Sequence, residues 1–298
     1  MPADIGLRAF LFLQTKKQIQ MKPSVWFITG ISTGLGKALA QAVMESGNVA
    51  LGTFRSREQA EAFTEYANGQ GRGYVLDVTD SEAVYRIAAE VEAAYGRVDV
   101  LVNNAGIGYA GAVEEASAEE VERVFAVNFR GALVVTQAFL PMLRRQGSGH
   151  ILQVSSHSGV RAFAGFGVYS ASKFALEGFS EALAQELAPL GIRLTIVEPG
   201  PFRTKFAAEG FMLAERRVEA YAETAGVFRE RIKGVDGKQE GDPEKAAQAL
   251  VAMVLRGEAP LRLPLGRIAL NTLRTKIESL QTDVEAAQEV AASVVFEA

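Results

Sequence analysis

Residues 25–40 read VWFITGISTGLGKALA, an apolar run that ends in three closely spaced glycines and continues as an apolar stretch with helical spacing. The apolar run predicts a strand, the glycines predict a tight turn, and the stretch with helical spacing predicts a helix. A strand, a glycine turn and a helix in this order are typical of dinucleotide-binding βαβ units, in which a diphosphate lies at the helix N-terminus. We predict that Gly30 makes the turn, that Gly34 lets the backbone approach the diphosphate and that Gly36 lets the helix pack on the strand.

The glycine spacing is GxxxGxG rather than the GxGxxG of the dinucleotide-binding motif, so the spacing alone is weak evidence for a cofactor site. The position of the glycines directly after the first strand strengthens the prediction. The same stretch contains GISTG, which also matches the GxSxG nucleophile elbow of α/β-hydrolases. In that alternative Ser32 is a nucleophile and His150 or His157 is its base. We favour it less, because no earlier strand supplies an oxyanion loop and neither histidine lies in the late position that such enzymes use.

From Lys22 onward, short β-branched runs alternate with longer helical patterns. This alternation predicts one α/β domain over residues 22–298, a Rossmann-like doubly wound parallel sheet of about seven strands with helices on both faces. The predicted strands are Val25–Thr29, Val49–Thr53, Tyr74–Leu76, Val98–Asn103, His150–Val154, Ile192–Glu198 and Leu261–Leu263. The predicted helices are Leu35–Ser46, Arg57–Tyr66, Ser81–Tyr95, Ala118–Arg145 with Pro141 inside it, Tyr169–Leu187, one that starts around Pro243, and a C-terminal one over residues 270–292. An insertion of residues 201–241 follows the sixth strand, where such sheets bind ligands.

The net charge of −4 and the pI near 5.5 provide no basic surface for nucleic acid or for an anionic membrane. The chain has no cysteine and two histidines, which predicts no metal site and fits a cytoplasmic protein. Residues 1–21 contain one short apolar run, Ala9–Leu13, too short to span a bilayer. We predict a flexible extension there, with an amphipathic anchor as the alternative.

The ends of the next strands predict further cofactor contacts. The second strand ends in Phe54 and Arg55 instead of an acidic residue, which favours NADP(H) over NAD(H), because a guanidinium suits a 2′-phosphate. Arg57 could share that role. Asp77 follows the third strand, placed to accept a hydrogen bond from an adenine amino group. The fourth strand closes with the small and polar residues Asn104, Ala105 and Gly106, beside the first glycine turn. The full predicted cofactor set adds Ser32, Thr33, Leu35 and Val78.

Tyr169 and Lys173 lie four positions apart in the predicted helix, so they share one face. A tyrosine has a pKa near 10, which makes it a poor base at pH 7. A unit charge about 4 Å away, at an effective dielectric of about 20, contributes roughly 4 kcal/mol, at most about three pKa units. Lys173 could therefore bring the phenol close to neutrality, where a general acid or base works best. Two serines, Ser155 and Ser156, end the fifth strand nearby.

Together these motifs resemble the short-chain dehydrogenase/reductase family. TGISTGLG, NNAG, VNFRG, VSSHSG, YSASK and PGPFRT occur in the family's order, and the likeness is close over about residues 22–205. The resemblance implies that Ser156 rather than Ser155 is the catalytic serine, since it lies 13 residues before Tyr169. It adds Asn128 as a residue that holds a water beside Lys173. It also implies that Pro199, Gly200 and Thr204 lie beside the nicotinamide.

The resemblance further implies hydride transfer between the nicotinamide and a small-molecule carbonyl or alcohol, as in carbonyl reductases, by a homo-oligomer. Ser156 would stabilise the carbonyl oxygen, Tyr169 would supply the proton, and Lys173 would lower the pKa of Tyr169 and bind the ribose. The alternative is a catalytically silent NADP-binding sensor, although Tyr169 and Lys173 are both present. We predict an apolar substrate, enclosed by Tyr109, Phe163, Phe166, Phe206, Phe211 and Met212.

A heptad pattern marks the C-terminal helix. Apolar residues recur with alternating spacings of three and four, as in the seam of a coiled coil; they are Leu270, Leu273, Ile277, Leu280, Val284 and Ala287. We favour packing of this stripe on its own domain. The alternatives are a subunit contact and a lid over the substrate cleft.

Overall fold

A seven-stranded parallel sheet forms the centre of the structure, a computed structural model that describes residues 22–206 and 210–296. The predicted extension over residues 1–21 lies outside the described residues. The strands are β1 (Val25–Ile28), β2 (Val49–Phe54), β3 (Gly71–Val75), β4 (Val100–Asn103), β5 (Gly108–Ala110), β6 (Gly149–Val154), β7 (Ile192–Pro199), β8 (Phe211–Leu213) and β9 (Arg262–Leu265). The sheet has the order β3-β2-β1-β4-β6-β7-β9. The chain winds outward from β1 in both directions, which confirms the predicted doubly wound class and opens a crevice at the carboxyl ends of β1 and β4.

The helices cover both faces of this sheet. They are α1 (Gly34–Glu45), α2 (Arg57–Ala67), α3 (Ser81–Tyr95), α4 (Ala118–Phe125), α5 (Ala132–Gln146), α6 (Gly167–Leu187), α7 (Val227–Gly234), α8 (Pro243–Arg256) and α9 (Arg267–Ser293). The predicted helix 118–145 is divided by a π-helical turn, Ala126–Gly131. Pro141 lies inside α5. Local chemistry sets the boundaries: at α3, for example, the Asp80 carboxylate accepts the Ala83 N–H, and Gly96 ends the helix in the left-handed region.

Both faces of the sheet are buried, as expected for parallel strands covered by helices. Alternate residues of β1 enter opposite cores: Val25 and Phe27 pack with α3 and α5, whereas Trp26 and Ile28 pack with α1 and α8. The continuous stretch Ala118–Gln146 has the length and hydropathy of a membrane-spanning helix. Its inner face is nevertheless part of the first core, where Phe139 is almost wholly buried.

Two buried carboxylates attach the insertion after β7 to the rest of the domain. Glu115 pairs with Arg229 of α7 and accepts the Val218 N–H at 3.0 Å. Glu120 accepts the Glu215 N–H, also at 3.0 Å. In addition, β8 pairs with β5 in a small parallel ribbon. The insertion therefore lies over the carboxyl ends of the strands, as the sequence predicted.

The C-terminal helix α9 contacts the domain only near its start. Ala269 and Thr272 are buried and Leu273 is half-buried, but the apolar residues from Ile277 onward are exposed, with 63% of Ile277 and 65% of Val284 accessible. The expectation that this stripe packs on its own domain is therefore wrong. The physical reason is that α9 extends past the edge strand β9, so that no surface of the described domain remains beside it.

Candidate active site

Residues at the end of β4 form hydrogen bonds with the glycine turn after β1 and hold it in place. Gly30 and Gly34 have positive φ values of +70° and +62°, which a side chain would strain. Asn104 donates its amide Nδ2 to the carbonyl oxygens of Thr29 and Gly30, both at 2.9 Å. The hydroxyl of Thr29 in turn accepts the N–H groups of Asn104 and Ala105. These bonds fix the conformation of the turn that was predicted at Gly30.

The start of α1 offers unpaired backbone donors. Thr33 occupies the N-cap without a side-chain capping bond, and the first turn contains no acidic residue. Ser32 and Thr33 are exposed and Leu35 is half-buried. A Cβ on Gly36 would lie 2.4 Å from Asn104 Nδ2, so only glycine fits there. An uncapped helix N-terminus behind a side-chain-free turn suits a diphosphate.

The predicted adenosine contacts lie at the ends of β2 and β3. Arg55 is exposed and forms no ion pair within residues 22–206 and 210–296. Asp77 is also exposed, but one of its carboxylate oxygens accepts from the backbone and hydroxyl of Thr79. Val78 is buried against Gly131.

Sequence reasoning missed a cleft of about 340 Å³ between α1 and α2. Its lining includes Ser32, Lys37, Phe54, Gln59 and Tyr66.

Three of the predicted catalytic residues come together at the carboxyl edge of the sheet. Ser156 follows β6, and its hydroxyl accepts the Ser158 N–H at 3.1 Å. Tyr169 and Lys173 lie on the first turns of α6 and are 5% and 4% exposed. The Lys173 ammonium donates to the carbonyl oxygen of Val154 at 2.9 Å, which binds α6 to the end of β6.

Burial controls the ionisation of this group. It raises the pKa of Tyr169 to about 12, and the neighbouring Ser156 hydroxyl counteracts this only in part. The expectation that Lys173 brings the phenol close to neutrality is therefore wrong for this structure. Lys173 Nζ lies 5.9 Å from the centroid of the Tyr169 ring, because its ammonium is directed at Val154. Burial also lowers the pKa of Lys173 to about 8, although the Glu177 carboxylate raises it.

Asn128 sits in the π-helical turn behind Lys173. Its Oδ1 accepts the Ile107 N–H at 2.8 Å, while its Nδ2 donates to the Ile107 carbonyl and to the Ser172 hydroxyl. A Cβ on Gly106 would lie 3.2 Å from Asn128 Oδ1 and 3.5 Å from Lys173 Nζ. Through Asn128, the π-helical turn thus fastens α6 to the chain after β4.

A charge cluster, formed by the buried Glu177 and Glu198 and the partly exposed Arg262, lies on the far side of Lys173. Arg262 of β9 donates to Glu177 at 2.6 Å and to Glu198 at 2.5 Å, and its other nitrogen reaches the half-exposed Glu181 at 2.7 Å. Burial and the charge of Glu177 together raise the pKa of Glu198 to about 7. Sequence reasoning missed this cluster. The signal for Glu177 was available, because it continues the four-residue spacing of Tyr169 and Lys173.

The predicted apolar wall surrounds the phenol. Phe166 stacks on Tyr169 with ring centroids 4.3 Å apart, and Phe206 lies 6.3 Å away. Phe211 of β8 stacks on Phe166 in turn. Phe163 and Met212 are partly buried in the same cluster. Tyr109 is fully buried and donates to Glu120, so it supports the wall from within rather than facing a cleft.

The chain after β7 lies next to the glycine turn at the carboxyl edge of the sheet. Pro199 ends β7, and the Gly200 N–H donates to the Leu265 carbonyl at 2.9 Å. The side chain of Thr204 lies over the glycine turn, 3.4 Å from the position that a Cβ on Gly34 would take. The residues predicted beside the nicotinamide and those predicted beside the diphosphate therefore line the same crevice.

Both histidines are engaged away from Ser32. His150 is buried beside Thr195, and His157 contacts Thr272 of α9. Burial lowers the pKa of each histidine to about 4. Neither ring can therefore serve Ser32 as a base, and the hydrolase interpretation has no support in this geometry.

Comparison with known proteins gives a consistent result. A family model described as short chain dehydrogenase matches residues 24–212. A 3-ketodihydrosphingosine reductase from Bacteroides thetaiotaomicron is 38% identical over 250 residues, which are 83% of this chain and 89% of that protein.

Two solved structures extend the comparison. A short-chain dehydrogenase from Streptomyces avermitilis matches with a TM-score of 0.86 and 40% identity, over 92% of this chain and 100% of the other. An alcohol dehydrogenase from the archaeon Thermococcus sibiricus, complexed with 5-hydroxy-NADP, matches with a TM-score of 0.67 and 26% identity, over 82% and 96% of the two chains.

Proposed function

The chain belongs to the short-chain dehydrogenase family, and on that premise we propose that it transfers hydride between NADP(H) and an apolar carbonyl or alcohol substrate. The chain is an NAD(P)-dependent oxidoreductase of this family; the preference for NADP(H), the substrate class and the residue roles are our proposal. The observation that carries it is the buried Tyr169, with Ser156 and Lys173 beside it, beneath a cluster of aromatic rings.

The proposed reaction uses the groups at the end of β6 and the start of α6. The nicotinamide, when bound, supplies or accepts the hydride. In reduction, the Ser156 hydroxyl donates to the substrate oxygen and stabilises its developing negative charge. Tyr169 delivers the proton, since a phenol with a pKa raised to about 12 stays protonated throughout the neutral range. Lys173 stabilises the phenolate that is left, provided that it keeps its own proton.

Arg55 after β2 and Lys37 of α1 support the preference for NADP(H). Arg55 is exposed at the position where an acidic residue would hold a ribose 2′-hydroxyl, and its charge is not engaged by another described residue. Lys37 lines the cleft that begins beside it. A 2′-phosphate placed there would meet two positive charges and no carboxylate among the cleft residues. The ratio of kcat/KM for NADPH to that for NADH measures this preference.

The aromatic cluster supports an apolar substrate. Phe166 and Phe206 lie against the phenol ring, Phe211 packs on both of them, and their rings offer no hydrogen bonds to a polar substrate. The 38% identical relative is named as a reductase of a keto compound, which supports a ketone as the reacting group. Each methylene that enters such a wall contributes about 0.8 kcal/mol. We therefore expect KM to fall about fourfold per added methylene in a series of aliphatic ketones.

The first experiment measures NADPH and NADH consumption with aldehydes, aliphatic and aromatic ketones, quinones and steroids. The Lys173→Ala variant is the blank. Turnover by the wild type and none by the variant supports the proposal. Cofactor binding without turnover on any substrate would instead favour the silent sensor.

A matched pair of variants tests the wall itself. Phe211→Ala should flatten the dependence of KM on chain length, because it removes a ring from the cluster. Phe174→Ala should leave that dependence unchanged, because Phe174 is an exposed aromatic residue of α6 outside the cluster. Equal slopes in both variants and the wild type would show that the aromatic cluster does not bind the substrate.

A further inference from the structure

The C-terminal helix α9 leaves the domain after its first turns. Its start is fixed by the Glu240 carboxylate, which bonds Arg267 and the Ile268 N–H, and by the hydroxyl of Thr272. From residue 277 to residue 296 every residue is exposed. About two thirds of this 27-residue helix therefore has no support from the domain.

A helix in that situation is not expected to be stable on its own. Most helical stability in proteins comes from packing of an apolar face rather than from the propensity of the residues. Such a face exists here: the heptad stripe of the sequence continues to the end of the helix. Its members are Leu270, Leu273, Ile277, Leu280, Val284, Ala287, Ala291 and Val294. The exposed stripe therefore requires a partner.

The charges of α9 argue against a lipid surface as that partner. Residues 267–293 contain three cations, Arg267, Arg274 and Lys276, and four anions, Glu278, Asp283, Glu285 and Glu289. Helices that lie on anionic membranes carry an excess of Lys and Arg on their polar face. A stripe with heptad spacing, bordered by charges of both signs, instead fits another helix with the same pattern.

We propose that α9 forms an antiparallel pair with α9 of a second copy of this chain. The register that aligns the two stripes places Ile277 opposite Leu280 of the second copy. The same register places Leu273 opposite Val284. Seam residues of one helix then fill the spaces between seam residues of the other along about three heptads.

Charge complementarity selects the antiparallel direction. Lys276 and Asp283 occupy equivalent positions on the same flank of the seam, one heptad apart. In the antiparallel register Lys276 faces Asp283 of the second copy, and the two-fold axis repeats this pair. In a parallel pair the residues across the seam from Lys276 and Asp283 would be Gln281 and Gln288, which carry no charge.

The two ends of the helix also match in this direction. Leu261 and Ile268 are exposed where the domain meets α9, and Val294 and Phe296 are exposed at the far end. The helix is about 40 Å long, so its last turn reaches the base of the partner helix in an antiparallel pair. The exposed apolar residues at the far end of one helix then lie against those at the base of the other. In a parallel pair, the two bases would lie together and the two far ends would lie together.

Charge reversal in the full-length protein tests the register. We expect Lys276→Glu to raise the dimer dissociation constant about tenfold, since two attractive pairs become repulsive. The double variant Lys276→Glu with Asp283→Lys should return it to within about threefold of the wild type. Sedimentation equilibrium measures these constants. A wild type that stays monomeric at every concentration, or a double variant that is not restored, would overturn the proposal.

Cross-linking gives a second test, because the chain has no cysteine of its own. In the proposed register residue 270 faces residue 287 of the second copy, whereas the two copies of residue 270 lie about 26 Å apart along the axis. A mixture of Leu270→Cys and Ala287→Cys proteins should therefore form a disulfide-linked heterodimer under mild oxidation. Neither variant should cross-link with itself. Self-linked dimers of either variant alone would indicate a parallel pair, and the absence of any linked dimer would exclude contact between the two helices.

Discussion

Replacement of Glu177 by glutamine should shift the pH dependence of ketone reduction to lower pH. Lys173 must stay protonated to stabilise the Tyr169 phenolate, and its pKa, about 8, lies well below that of Tyr169. Loss of the Lys173 proton therefore limits the reaction at high pH. The Glu177 carboxylate raises the pKa of Lys173, so removing that charge should lower it.

The size of the shift follows from the position of the two residues. They are one turn apart on α6, where Cβ atoms are about 6 Å from each other. At an effective dielectric of about 20, two unit charges at that distance interact by roughly 3 kcal/mol, or about two pKa units. Arg262, 2.6 Å from Glu177, offsets part of this interaction. We expect a shift of about one unit in the basic limb of kcat/KM.

Glu181→Gln is the matched control. Glu181 bonds the same Arg262 at 2.7 Å, but half of its side chain is exposed, so that solvent screens its charge. Its pH profile should overlay that of the wild type within about 0.2 units. The reasoning is refuted if the Glu177→Gln profile does not move, if it moves to higher pH, or if Glu181→Gln moves it equally. Thermal unfolding of both variants should be measured alongside, to exclude general destabilisation.

Three further predictions address the remaining parts of the site. Tyr169→Phe should keep the affinity for NADPH in a fluorescence titration but reduce kcat by at least about a hundredfold, and a rate equal to that of the wild type would contradict the assignment of the proton donor. Arg55→Ala should reduce the preference for NADPH over NADH by roughly 1–3 kcal/mol, whereas Arg86→Ala, which removes an exposed arginine of α3 outside the predicted cofactor site, should leave that preference unchanged. Gly36→Ala should lower the free energy of urea unfolding by about 1–3 kcal/mol and weaken cofactor binding, while Gly178→Ala, where a Cβ meets open space, should raise it by about 0.5–1 kcal/mol. Equal effects of the two alanines would mean that the glycine turn is not tightly packed.

The parts of the fold that depend on local pattern could be predicted from the sequence. The glycine turn is an example, because three glycines after a buried strand have few other conformations. The π-helical turn could not be predicted. It depends on Asn128, which bonds the backbone of Ile107 from a different part of the chain. Nothing in the local sequence distinguishes this segment from a continuous helix.

The same limit explains the error in the pKa of Tyr169. Spacing placed Lys173 on the correct face of α6, but spacing does not say which acceptor its ammonium reaches. That acceptor is the carbonyl of Val154, at the end of a strand. The position of α9 shows the limit again, since the heptad pattern indicates an apolar seam but not which surface covers it.

The region beyond the family match also contributes to the site. The match ends at residue 212, yet Arg262 reaches back from β9 to Glu177, which lies 85 residues earlier. Without that guanidinium, Glu177 and Glu198 would be two buried carboxylates without a cation in contact, an arrangement that costs several kcal/mol and favours protonation. The charge on Glu177, and with it the pKa of Lys173, therefore depends on the edge strand β9. A change in β9 should alter the pH dependence of the reaction even though none of its residues contacts the phenol.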